Sequence, residues 1–334
     1  MVDHSLKAQF DRFKHLVDRY HRFVLTTHLN PDGDGIGSEV ALAAYLRSRN
    51  KNVTILNHDP VPPNYAFLQA SIPLTQFETG RHSSIIENAE VICILDANQL
   101  SRLASLEPFV RNSNGRIVCI DHHLDKEQFA HLSIMDEESA ATGQIVYHLL
   151  VHFGWDNLPP EAATALYVAI MTDTGSFRFP KTTAELHRIV AHLIECGADP
   201  VRSYQLVHEQ STVGRVQLLG KVLSTLQTAH SGRVALLRVT REMFQSTGTS
   251  EADTENFINY TLSIRGVEIG LMITELAEGI KISFRSKGDI PINSLAKEFG
   301  GNGHKNAAGA RIANGTIHET AQKLFERAKH YLPT

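Results

Sequence analysis

Apolar positions in the first half of the chain follow two rhythms. Short β-branched runs (FVLTT, VTILN, VICIL, RIVCI) alternate with longer stretches such as GSEVALAAYLRSR, whose apolar residues recur at helical spacing. That alternation predicts βαβ units and a parallel sheet with helices on both faces. From Met135 the rhythm turns helical in ATGQIVYHLLVHF, in PEAATALYVAIMTDT with proline near its start, and in TTAELHRIVAHLIECG, closed by Gly197. Residues 1–198 are therefore read as one α/β domain and residues 199–228 as a helical linker. From Arg233 the strand-like runs VALLRV, EIGLMIT and KISFRS, interleaved with helices around NFINYTLSI and INSLAKEF, mark a smaller α/β domain over residues 229–334.

Three of the first strands end alike. FVLTT runs into His28, VICIL into Asp96, and RIVCI into Asp121, His122 and His123. Ligand sites in open α/β sheets lie beyond the carboxyl ends of the strands, so these residues are expected to converge. Between Thr27 and Val40, THLNPDGDGIGSEV adds Asp32 and Asp34 in a Gly/Pro loop, and Asp173 ends an otherwise apolar helix. Close carboxylates cost several kcal/mol when buried unless a proton, a basic side chain or a metal lies between them. Ser38 and the helix that begins beside it offer backbone N–H groups to a phosphate. His148, His152 and His192 lie on apolar helix faces and are read as satisfied core residues.

Four aspartates with two or three imidazoles make a mixed oxygen and nitrogen donor set. It suits Mn(II) or another first-row divalent ion better than structural zinc, and it is too large for one ion. Two ions roughly 3.5–4 Å apart, bridged by one carboxylate, would use it fully and favour in-line attack of water on phosphorus.

Composition narrows the class. With 334 residues, 42% hydrophobic and 20% charged, the chain has room for two globular domains. No apolar run approaches the ~18 residues of a membrane span, and the polar, helical N-terminus does not read as a secretion signal, so a cytoplasmic protein is expected. Cys93, Cys119 and Cys196 show no metal-ligand spacing and are read as buried thiols. A net charge of -4 argues against gripping long duplexes. Residues 281–334 hold nine Lys or Arg against four Asp or Glu, leaving -9 for the rest, an acidic body with a basic end. Lys323, Arg327 and Lys329 are read as a solvated face of the last helix.

The segments THLNPDGDGIGS, LDANQLSRL, IDHH and TDTGSF resemble the four motifs of the DHH phosphoesterase family. Arg285, Ser286 and Lys287 (RSK), with GGNGHKNAAGA from Gly300, resemble the DHH-associated C-terminal domain. The resemblance implies one ion held by His28, Asp32 and Asp96 and a second by Asp34, Asp96, His122 and Asp173, with Asp96 as the bridge. It also implies that Asp121 orients the histidines and that His123 and Arg102 face the scissile phosphate. Arg285, Ser286, Lys287, Gly300, Gly301, Gly303 and His304 would bind the nucleotide end away from the metals, across a cleft between the domains. Asn302 stands where the family usually has glycine, and its tolerance of left-handed backbone is expected to preserve the loop.

Within that family the two-domain layout, and PPNYAFL at residues 62–68, resemble bacterial nano-RNases, which also dephosphorylate 3′-phosphoadenosine 5′-phosphate (pAp). The implied cofactors are two divalent ions, Mn(II) first with Mg(II) or Co(II) as alternatives. The implied partners are short RNA oligonucleotides and nucleoside bisphosphates, with no membrane and a homodimeric state. Turnover of cyclic or linear dinucleotides (c-di-AMP, pApA, pGpG) is the alternative enzymatic reading. A non-catalytic nucleotide sensor is the reading from another class, and it would be expected to lack metal ligands that this chain has.

Overall fold

Alternate residues of the first strands enter two different cores, which is why these runs read as continuously apolar. In the computed structural model, which describes residues 4–70, 72–124, 127–313 and 315–333, the strands of the first unit are β1 (Arg22–Thr26), β2 (Asn52–Asn57), β3 (Leu74–Gln76), β4 (Val91–Leu95), β5 (Arg116–Asp121) and β6 (Leu132–Met135). They form a wholly parallel sheet in the order β3-β2-β1-β4-β5-β6. Its helices are α1 (His4–Arg19), α2 (Gly33–Ser48), α3 (Thr79–Glu87), α4 (Glu107–Arg111), α5 (Thr142–His152), α6 (Pro160–Asp173), α7 (Ala184–Glu195) and α8 (Pro200–His208).

Phe23, Leu25, Cys93, Leu95, Val118 and Ile120 pack under α1, α2, α5, α6 and α7. Val24, Ile92, Ile94 and Ile117 point the other way, toward Ile86 of α3, Val110 of α4 and the 3-10 segment Leu100–Leu106. The period of two thus covers both faces, as the sequence predicts. Phe10 and Phe13 of α1 are fully buried, each worth about 1.5–3 kcal/mol of apolar transfer. Because strand order reverses between β1 and β4, their carboxyl ends open a crevice at the switch point.

The chain divides into compact units at Met1–Gln210 and Ser211–Thr334. Residues 199–228, read as a helical linker, hold two helices assigned to different units. Helix α8, capped by Asp199, belongs to the first, and α9 (Val213–Leu223), capped by Thr212, to the second. The second unit's sheet runs β11-β12-β10-β9-β8-β7 and is antiparallel except for the parallel pair β8–β9. Its strands are β7 (Gln227–Ala229), β8 (Val234–Val239), β9 (Ile269–Glu275), β10 (Ile280–Ser286), β11 (Asn302–His304) and β12 (Ala307–Ile312). Its remaining helices are α10 (Arg241–Thr247), α11 (Asn259–Leu262), α12 (Ile292–Glu298) and α13 (Ile317–Ala328). Along β10, Ile280, Ile282 and Phe284 pack with Leu295 of α12 and Leu324 of α13, while Lys281, Ser283 and Arg285 keep partial exposure. No helix among the described residues is long and apolar enough to cross a membrane.

Candidate metal centre

Asp32 is the N-cap of α2, its carboxylate accepting from the N–H groups of Asp34 and Gly35 at 3.0 and 3.2 Å. Those amides are therefore occupied, and Ser38 is buried with its hydroxyl toward Asp34 Oδ1 at 3.4 Å. This corrects the expectation that Ser38 and the start of α2 serve a phosphate: the helix end is used to hold the acidic loop itself.

Asp34 is buried, and its carboxylate meets the N-terminus of α5. Thr142 N–H donates to Oδ2 at 2.7 Å and Gly143 N–H to Oδ1 at 2.8 Å. Asp96, past the end of β4, is left-handed (φ 58°) and accepts from the Thr142 hydroxyl at 3.1 Å. Burial first, and neighbouring carboxylates second, hold the pKa of Asp34 and of Asp96 well above the ordinary range. Burial, with Asp32 next, raises Asp173 to about 6.

The imidazoles are turned to meet this charge. His28 Nδ1 faces its neighbour's carbonyl, Leu29 O, at 2.8 Å, which places the proton there and leaves Nε2 3.3 Å from Asp96 Oδ2 and 3.9 Å from Asp32 Oδ1. His122 Nδ1 faces Ser139 O, and its Nε2 lies 3.3 Å from Asp173 Oδ2, 3.7 Å from Asp96 Oδ1 and 3.8 Å from Asp34 Oδ2. That Nε2 is buried and has no hydrogen-bond partner among the described residues, and burial, then His123, lowers the His122 pKa to about 4. A neutral ring aiming a lone pair at carboxylates is repulsive unless a proton or a metal ion lies between them. The donors fit a divalent ion: His28, Asp32 and Asp96 bring ligand atoms within 4.8 Å of one another, as do Asp34, His122 and Asp173.

Asp121 ends β5 fully buried, its Oδ1 accepting from His122 N–H at 2.7 Å and His123 Nδ1 at 2.8 Å. That hydrogen bond is the main cause that raises the His123 pKa, and about half of the His123 side chain is exposed. The backbone carbonyl of Arg102 accepts from Leu29 N–H at 2.7 Å, which ties its segment to the His28 loop.

Sequence reasoning missed the residues that hold the others in place. Thr142 and Gly143 cap Asp34, and Asn98 Nδ2 clamps the carbonyls of His123 and Leu124 at 3.2 and 2.8 Å. Asn98 lies inside the quoted LDANQLSRL segment and Thr142 opens a recognisable helix, but nothing local says what either faces. Cys93 and Cys119 are buried and their thiols pushed up by burial, whereas Cys196 is only half-buried, with Sγ 3.6 Å from His192 Nε2. His192 Nδ1 also meets the Tyr147 hydroxyl at 2.9 Å, while His152, read as core, pairs at the surface with Asp11 at 2.8 Å.

In the second unit Arg285 is half-buried, donates to Phe284 O at 3.0 Å, and has its pKa lowered by burial. Ser286 is buried: its hydroxyl donates to Ile290 O at 2.8 Å and accepts from Asn306 Nδ2 at 2.9 Å, so the structure spends it on the turn. Lys287 and His304 are exposed, and Gly300 is left-handed (φ 73°). A Cβ on Gly301 would stand 2.2 Å from Gly309 O. Asn302 is not left-handed, so its tolerance of that backbone is not called on. It pairs with Gly309 in β11 and accepts from Gly303 N–H at 2.8 Å.

The chain matches the family model of the DHH family, N-terminal domain, over residues 22–170, and that of the DHHA1 domain over residues 232–333. It is 29% identical over 308 residues to the bifunctional oligoribonuclease and PAP phosphatase NrnA of Thermus thermophilus, covering 92% of this chain and 89% of that protein. It is 27% identical to the protein of the same description from Bacillus subtilis, over 89% of this chain and 91% of that one. Among solved structures, an exopolyphosphatase-related protein from Bacteroides fragilis superposes with a TM-score of 0.91 at 34% identity, covering 97% of this chain and 96% of the other.

Proposed function

This chain belongs to the DHH family and is a hydrolase of phosphoester bonds, and from that premise we propose that it degrades short oligoribonucleotides to mononucleotides and dephosphorylates pAp to AMP. The relatives described as oligoribonucleases and PAP phosphatases, matched over most of both chains, support this substrate class. The observation that carries the reading is the pair of ligand triads, His28 with Asp32 and Asp96, and Asp34 with His122 and Asp173.

His28, Asp32 and Asp96 would hold one ion; Asp34, Asp96, His122 and Asp173 the other, Mn(II) being the best match to the donors. When bound, such ions make water a nucleophile at neutral pH and neutralise charge on phosphoryl oxygens. Asp121 keeps the proton on His123 Nδ1, which leaves Nε2–H to donate to the phosphate and to protonate the leaving oxygen as the phosphorus–oxygen bond breaks. Arg102 adds fixed positive charge there. In the second unit, Arg285, Lys287 and His304, with the glycines at 300, 301 and 303, would bind the nucleotide, and Ser286 would support their turn. A cytoplasmic homodimer completes the proposal.

The test is product formation with Mn(II), and again with chelator, from pAp, pApA, a five-residue RNA, a long single-stranded DNA, cyclic di-AMP and polyphosphate. Fast, chelator-sensitive conversion of pAp and the short RNA is expected. Preference for cyclic di-AMP or polyphosphate would overturn the substrate assignment.

A further inference from the structure

Three consecutive residues just past Asp173 are left-handed: Gly175 (φ 56°), Ser176 (φ 58°) and Phe177 (φ 66°). Two of them carry side chains, so the turn is strained and persists only because its surroundings fix it. Ser176 N–H donates to Met171 O at 2.8 Å, and the N–H groups of Arg178 and Phe179 both donate to Thr174 O, at 2.9 and 3.1 Å. The Phe177 ring packs edge-on against Tyr167 at 6.0 Å. The turn projects Arg178 and Phe179 outward from the chain that has just left Asp173.

The ring of Phe179 lies over Gly175, where a Cβ would stand 2.6 Å from its Cζ, and the residue is still 53% exposed. The ring thus rests on the open face that Gly175 leaves, and a side chain there would displace it. Arg178 Nε is fixed to Gly175 O at 2.6 Å, and its exposed guanidinium is in no ion pair among the described residues. Three residues on, the Lys181 ammonium donates to Ser139 O at 3.3 Å, the same carbonyl that His122 Nδ1 faces. The segment is therefore tied to the candidate metal centre at both ends. On α8 beside it, Tyr204 (43% exposed) packs against His208 with ring centroids 4.7 Å apart. Burial, and then the charge of Arg178, depress the His208 pKa, so Arg178 lies within electrostatic reach of that pair.

Aromatic rings interleaved with cations are how proteins hold single-stranded nucleic acid without reading its sequence. We propose that Phe179 is a nucleobase-stacking residue. The base beside the phosphate at the metal centre lies on its exposed face, Arg178 borders that base, and the Tyr204–His208 pair extends the surface. The inference rests on the nucleotide reading above and deepens it, because inorganic phosphate chains have no π-face to stack.

The test is calorimetric binding of AMP and of ribose 5-phosphate to the Mn(II)-loaded full chain, for the wild type, Phe179→Ala, Phe179→Leu and Phe179→Trp. AMP is expected to bind about tenfold or more tighter than ribose 5-phosphate, as base–aromatic stacking gives. Phe179→Ala and Phe179→Leu should lose that advantage with ribose 5-phosphate unchanged, and Phe179→Trp should keep it. Equal affinity for the two ligands in the wild type, or equal weakening of both in either apolar variant, overturns the proposal. Turnover of the substrate panel decides the underlying reading separately. An active enzyme with base-independent binding sinks the stacking role alone, and a base preference lost in Phe179→Ala without turnover sinks the reading alone.

Discussion

The backbone N–H of Thr142 meets the carboxylate of Asp34 at 2.7 Å across 108 residues of sequence. The same residue gives its hydroxyl to Asp96 at 3.1 Å, so one helix N-terminus orients a carboxylate of each candidate ion site. Outer partners of this kind typically tune metal affinity by 10–100-fold. Thr142→Val keeps the backbone donor and removes the hydroxyl. It is expected to weaken Mn(II) binding about tenfold by calorimetric titration, and an unchanged affinity would show that the hydroxyl does not orient Asp96.

Asp96 combines a left-handed backbone with a buried, repelled carboxylate. Asn tolerates that backbone, so Asp96→Asn isolates the charge better than alanine does. Turnover is expected to fall at least ~100-fold, with loss of the Mn(II)-induced rise in Tm. The chelated variant should melt no lower than the chelated wild type, because a repelling charge is gone. Normal activity would remove Asp96 from the metal assignment.

Glu39 is buried behind the acidic loop, with Oε2 accepting from Asn57 Nδ2 at 2.8 Å and Oε1 without a partner among the described residues. Burial raises its pKa from 4.5 to about 8. The folded protein thus favours the protonated acid, and this contribution to stability is complete below about pH 4.5 and is lost as pH rises toward about 8. Glu39→Gln cannot ionise. Its Tm should therefore gain on the wild type between pH 5 and pH 8.5, and a difference that does not change with pH would mean that Glu39 is ionised in the fold.

Gly37 is where α2 touches α6: an added Cβ would lie 2.3 Å from Ala165 O and 3.0 Å from the Ala169 Cβ. The first obstacle is backbone, so the helices must part. Gly37→Ala should cost about 1–3 kcal/mol in denaturant unfolding and lower activity with it, since Asp34 rides on α2. Gly80, with nothing near its Cβ position, is the control that should tolerate alanine.

Much of this protein was legible in local pattern. Strand-like runs ending in His28, Asp96 and Asp121 located the candidate centre, because a period of two and a parallel sheet force such ends to one edge. Other features depended on pairing. Asn302–His304 has no β-branched residue and AAGARI has only Ile312, so neither carries the usual mark of a strand, and they become β11 and β12 by bonding to each other and to β10. The N-terminus of α5 finds Asp34 only because small residues let helices close in, a Cβ on Gly143 falling 2.5 Å from that of Ala169. Sequence alone therefore determined which groups bear charge and which edge of the sheet they reach. Only the tertiary structure decided which amide, hydroxyl or imidazole meets each carboxylate, because those partners come from segments whose distance is set by packing.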